Sequence, residues 1–255
     1  MSATKTTKAH LEYVQRLADN SLILGQRIAE WCGHSPVLEE DMAITNMSLD
    51  LIGQARLLLT HLGQLEGKGR DEDQLAFLRV EPAYRNLTIC ELPNHDFART
   101  MLRSFLFSSF QKVVFDKLLS SKDEELAAIA GKSIKEARYH AEHTGEWVIR
   151  LGDGTDVSHA KIQEALDYLW PYTNEFFAGC PFDEEVEGSN IGPAWNSLKQ
   201  TWLDSVLPIL KEATLEVPGE TNFQTYGKFG RHSEHMGHLL SEMQYLQRAY
   251  PGGTW

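Results

Sequence analysis

Two stretches, 94–120 and 123–151, carry apolar residues at spacings of three and four, and nowhere does the chain alternate apolar with polar residues over a useful length. That periodicity argues against a sheet and predicts an all-α protein. In the first stretch Phe97, Met101, Phe105, Val113 and Leu118 fall on one broad stripe. In the second the stripe is Leu126, Ala130, Ser133, Ala137, His140, Thr144, Trp147 and Leu151. Gly and Pro mark the stops between these and further helices, expected at about 8–31, 36–64, 158–178 (kinked by Pro171), 193–216 and 233–250. The stretch 70–93 reads as an irregular connection with short helical pieces. Two helical hairpins joined by that crossover, with more helices after them, predict a ferritin-like four-helix bundle. The expected organisation is one domain over 1–255, with a core bundle at about 8–151 and accessory C-terminal helices at about 158–250.

Charge narrows the possible partners. Asp and Glu number 36 against 24 Lys and Arg, a formal net charge of −12, which disfavours a phosphate backbone as partner. No apolar run approaches the roughly 20 residues needed to cross a bilayer, and the start lacks the apolar core of a signal peptide, so no membrane partner and a cytoplasmic protein are expected. Cys32, Cys90 and Cys180 share no metal-ligand or redox spacing and read as packing residues. Trp255 at the end is expected to dock either on the body or on a partner.

The segment KEARYHAEH, 135–143, raises the question of a metal. A carboxylate-bridged iron pair in a helical bundle takes one Glu from each of two helices and a Glu-x-x-His from each of the other two. Residues three apart lie about 60° apart around the axis, so both can reach one metal pair. Here His140 is present, but Ala137 stands where its Glu belongs. On the second helix the same motif falls on Leu51 and Gln54. The third helix has no Asp, Glu or His between Phe97 and Phe115, and the first offers Glu30 as its inward-capable acid. At most two of six ligands remain, so the expectation is the remnant of a di-iron site at Glu30, Leu51, Gln54, Ala137 and His140, with no metal and no catalytic residue in this chain. His232, His235 and His238 stand three apart and raise a second reading, a metalloenzyme whose site lies near the C-terminus. A third is a free-standing binding protein for a small apolar ligand, in a cavity lined by Ala130, Ser133 and Ala137.

Three long segments, NSLILGQRIAEWCGHSPVLEEDMAITNMSLDLIGQARLLL, KEARYHAEHTGEWVIRLGDGTDVS and HSEHMGHLLSEMQYLQRAYPGGTW, strongly resemble the PaaC family, the C subunits of the bacterial phenylacetyl-CoA epoxidase or ring-1,2-phenylacetyl-CoA monooxygenase. The resemblance covers nearly the whole chain and is weakest over 175–225. It implies a ferritin-like fold and a structural, non-catalytic place in a multicomponent oxygenase. The A subunit then carries the di-iron centre and binds the CoA thioester, and a separate reductase with flavin and an iron-sulfur cluster supplies electrons from NADPH. It further implies no cofactor in this chain, and as partners the catalytic A subunit and the other epoxidase subunits. The assembly is then a hetero-oligomer, with a homo-oligomer as the state of the chain alone.

Overall fold

The structure is a computed structural model that describes residues 6–253. Trp255 lies outside them. The chain is all-α: α1 (Lys8–Ala29), α2 (Leu38–Glu66), α3 (Glu72–Phe77), α4 (Phe97–Leu118), α5 (Glu124–Gly152), α6 (Asp156–Leu169), α7 (Asn174–Phe177), α8 (Asp183–Gly188), α9 (Lys199–Glu212), α10 (Glu234–Met243) and α11 (Tyr245–Ala249). Among the described residues there is no strand, only an isolated antiparallel bridge between Tyr226 and Arg231.

The long helices start where a short acceptor side chain can satisfy a free N–H. The Asp96 carboxylate accepts from the Arg99 amide at 2.9 Å and the Asp123 carboxylate from the Leu126 amide at 3.0 Å. Glu124 and Glu125 in the first turn of α5 also favour that end of the helix dipole. Pro171 acts as expected. α6 stops at Leu169, a 3₁₀ turn spans Trp170–Thr173, and α7 resumes for four residues. The expected helix over 193–216 is a 3₁₀ turn, Trp195–Leu198, running into α9, and that over 233–250 divides into α10 and α11. α8 has no counterpart in the periodicity, since six mostly acidic residues make no stripe.

Contacts divide the chain into two compact units that do not follow the expected division near residue 151. The first takes 6–32, 42–93 and 226–253, so the C-terminal helices belong with α1, α3 and most of α2. There α1 and α2 approach closely at Gly25, where an added Cβ would stand 3.2 Å from the Leu51 Cβ, and the Ser48 hydroxyl donates to the Gly25 carbonyl at 2.8 Å.

The second unit takes 33–41 and 94–225. Its centre is α4, which is buried on nearly every side from Ala98 to Leu118 and lies against α5, with Phe105 packed on Gly145. Phe110, Phe176, Phe177, Trp195 and Trp202 form an aromatic cluster beside it, with Phe110 and Phe176 centroids 4.8 Å apart, and the Trp202 indole donates to the Leu106 carbonyl at 3.1 Å. The buried stripe of α5 matches the expected one from Leu126 to Thr144 and then departs from it. Val148 and Gly152 carry it on, while Trp147 and Leu151 are half-buried. The Trp147 indole instead donates to Glu40 at 2.7 Å, and Glu40 also meets the His143 ring at 3.0 Å. Of the cysteines only Cys90 is buried; Cys32 is exposed, so packing is not its role.

Candidate functional site

Leu51 and Gln54 stand one turn apart on the buried face of α2, at 2% and 1% exposure. The Ser21 hydroxyl of α1 lies 3.4 Å from the Gln54 amide oxygen. Glu30 is not at their level. It caps the C-terminus of α1, five residues beyond Gly25 and so about 7 Å further along the axis. It is half-buried, and the Arg27 guanidinium donates to its two oxygens at 3.0 and 2.7 Å. The acid expected to point inward is spent on a neighbouring cation, because the helix ends there and its last turn has solvent on one side.

In the second unit Ala137 and His140 are fully buried on α5, between Ser133 and Thr144, and the Thr144 hydroxyl donates to the His140 carbonyl at 2.6 Å. The buried polar residues of α4 are Thr100, Arg103, Ser104, Ser108, Ser109 and Gln111, none of them an acid or a histidine, and the Ser104 hydroxyl donates to the Thr100 carbonyl at 2.8 Å. In neither unit do the expected residues make a set of hard oxygen ligands. Leu51 and Ala137 have no lone pair to give, and Gln54 offers only a neutral amide. A carboxylate-bridged iron pair does not fit this donor set.

The three C-terminal histidines do not converge, which corrects the second reading. The His232 side chain is buried, with Nδ1 at 2.8 Å from a Glu91 oxygen and Nε2 at 3.2 Å from the Tyr84 carbonyl. Both ring nitrogens are engaged, so neither is open to a metal. Ser233 caps α10 by accepting from the His235 amide at 3.3 Å, and this turns His235 to a half-exposed position and leaves His238 exposed. The cavity of the third reading is also displaced. The second unit has a groove of about 260 Å³ between α4, α5 and α9, lined by Phe105, Ser109, Ala141, Gly145 and Ile209, and it does not include Ala130, Ser133 or Ala137.

Sequence spacing does not reveal the polar network of the first unit. Asp19 on α1 is ion-paired with Arg79 and accepts the Arg85 amide at 2.8 Å. Arg79 also lies over the Tyr84 ring, 4.1 Å from its centroid, and the Gln244 amide of the C-terminal segment donates to the Tyr84 hydroxyl at 2.7 Å. Burial pushes the Tyr84 phenol up to about 12, although the Arg79 charge opposes this. Burial acts to lower the Arg79 pKa, but the Asp19 charge and hydrogen bonds outweigh it and the net shift is upward. Glu91 collects His232, the Asn86 amide at 2.9 Å and the Ser233 amide, while the Arg27 guanidinium takes its carbonyl at 2.8 Å. These groups lock one another, and none of them lines the groove on the second unit.

A family model for phenylacetic acid catabolic proteins, PaaA and PaaC, matches residues 1–255. The chain belongs to this family. It is 46% identical over 243 residues to the C subunit of the 1,2-phenylacetyl-CoA epoxidase of Escherichia coli (strain K12), covering 95% of this chain and 98% of that relative. The fold class is therefore all-α and ferritin-like, as the sequence implies. Among the described residues no helix is long and apolar enough to cross a membrane.

Proposed function

We propose that this chain is the non-catalytic, structural subunit of a multicomponent di-iron oxygenase that epoxidises the ring of phenylacetyl-CoA in aerobic phenylacetate catabolism. It packs against a catalytic A subunit that carries the iron pair and binds the CoA thioester. It holds no cofactor itself and works in the cytoplasm, where a separate reductase with flavin and an iron-sulfur cluster delivers electrons from NADPH. The observation that carries the reading is the donor set: Leu51, Gln54 and Ala137 stand where a Glu-x-x-His pattern would supply ligands, and no acid lies between Phe97 and Phe115 on α4. Similarity to a protein named as the C subunit of the epoxidase supports the pathway. Filling such positions with Leu and Ala removes buried charges that would be costly without metal, while the outer faces stay free to dock a partner.

Two measurements test this. Loaded with ferrous iron without oxygen and then desalted, the chain alone is expected to retain no iron pair. Near-stoichiometric iron by elemental analysis, with an oxo-bridge absorption after oxygen is admitted, would overturn the reading. Mixed with the A subunit, the chain is expected to form a complex stable to gel filtration, and epoxidation with reductase and NADPH is expected to need both. An A subunit equally active and soluble by itself would remove the structural role.

A further inference from the structure

The groove between α4, α5 and α9 has a polar edge that the second unit leaves unsatisfied. Ser109 is only 2% exposed, yet it lines the groove, and its hydroxyl has no hydrogen-bond partner among the described residues. Ser104 and Thr144, on the same two helices, donate to the carbonyl four residues back, at 2.8 and 2.6 Å. The Ser109 hydroxyl does not take that bond, so a buried polar group is open to whatever enters the groove. Three residues on, and so on the same face of α4, Lys112 is half-buried at the groove, with no carboxylate oxygen within 4 Å among the described residues. The rest of the wall is mostly apolar. The Phe105 ring rests on Gly145, where an added Cβ would stand 3.2 Å from it, and Ile149 and Ile209 line the groove from α5 and α9. Glu142 and Glu146 stand exposed on α5, and Glu146 is paired with Arg150 at 3.6 Å.

We propose that this groove binds a small monocarboxylate, its head held by Ser109 and Lys112 and its apolar body laid on Phe105, Ile149 and Ile209. A hydroxyl donor beside an ammonium on one helix face selects an anionic acceptor, and hydrogen bonds to such a charge are the strong ones. The Lys112 stem can lie along apolar surface while its ammonium reaches the head. Size follows from the volume of about 260 Å³, which lies just below the range of roughly 300–1,000 Å³ typical for drug-sized ligands, so a body on the order of six carbons fits. Charge follows from the α5 side. A second negative group would meet Glu142 without a cation of its own, which disfavours dicarboxylates and phosphate esters. The inference does not depend on the role proposed above.

Titration of the full chain with hexanoate tests it, read by NMR of selectively labelled isoleucine methyls. The Ile149 and Ile209 methyls are expected to shift saturably, with a dissociation constant of about 1 mM or below, while Ile44 and Ile89 of the first unit stay still. Adipate, hexan-1-ol and hexylamine should each bind more weakly, and acetate, which lacks the apolar body, should not saturate. Lys112→Met and Ser109→Ala should each weaken hexanoate roughly tenfold, and Lys117→Met, an exposed lysine of α4 away from the groove, should not. The methyl spectrum of each variant reports that it is folded. Absence of a saturable shift up to about 20 mM overturns the proposal. So does a preference for hexylamine, since Glu142 and Glu146 would then choose the ligand, or an affinity that neither Lys112→Met nor Ser109→Ala changes.

Discussion

His232 sits between a carboxylate at Nδ1 and a carbonyl at Nε2, and a ring that donates in both directions is an imidazolium. Burial acts to lower its pKa, yet the hydrogen bond and charge of Glu91, the Tyr84 carbonyl and the Glu81 charge together raise it above the ordinary value. A raised folded-state pKa gives stability that is fully present below the unfolded value, about 6.5, and is lost as pH rises through the folded value. His232→Gln should therefore cost about 3 kcal/mol near pH 6, where it leaves Glu91 buried without its cation, and the gap to wild type should narrow at higher pH. Urea titrations of both proteins across that range measure it; a gap that does not change with pH would mean folding leaves the ring's pKa unshifted, and one that widens as pH rises would mean the ring is neutral in the fold. Sequence spacing shows His232 only as one of three histidines three apart. Its partner is 141 residues away, and such a separation leaves no trace in local pattern.

Helices whose one side faces solvent announce themselves through periodicity and caps, which is why α2 and α5 can be placed from sequence to within a few residues. Their ends are less legible. The stripe of α5 turns from Leu151 to Gly152 because Gly152 lies against the Ala213 backbone, a contact with a distant segment. Likewise the close approach of α1 to α2 at Gly25 sets which residues share the level of Leu51, and it leaves Glu30 beyond that level. Two glycines of α5 then behave oppositely. In Gly152→Ala the new Cβ would run into the Ala213 carbonyl, backbone that cannot swing aside, and the variant should lose roughly 1–3 kcal/mol. In Gly131→Ala the Cβ meets only the Leu119 side chain, at an ordinary 3.8 Å, so helix propensity decides and a gain of roughly 0.5–1 kcal/mol is expected. Chemical denaturation of the two variants checks both signs, and a neutral Gly152→Ala would mean the α9 end gives way easily.

At the scale of the whole molecule, chain order and packing order differ. The sequence pattern makes the last helices look like an accessory to a bundle closed by residue 151, yet 226–253 belongs to the same unit as α1 and the 70–93 connection. Its hold there is extensive. Gly227 sits so near the connection that an added Cβ would stand 2.5 Å from the Asn86 carbonyl, and its amide donates to Thr88. Met236, Leu239 and Leu240 are buried, His232 closes on Glu91, and Gln244 donates to the Arg79 carbonyl at 2.9 Å as well as to Tyr84. A chain stopped after Thr225 would therefore leave the Glu91 carboxylate without its cation and strip cover from Tyr84 and the Asp19–Arg79 pair, each costly to expose or to leave unpaired. An accessory piece would take away only its own helix, the ten residues of α10 and five of α11. Loss of the lock instead predicts that α1 and α3 unravel with it, so the fall in helical ellipticity should clearly exceed those fifteen residues and the truncated chain should bind a hydrophobic dye. Circular dichroism of the truncated and full chains at equal concentration makes the comparison. A deficit confined to the deleted helices, with unchanged urea resistance in the remainder, would show that the first unit stands without its C-terminal lock.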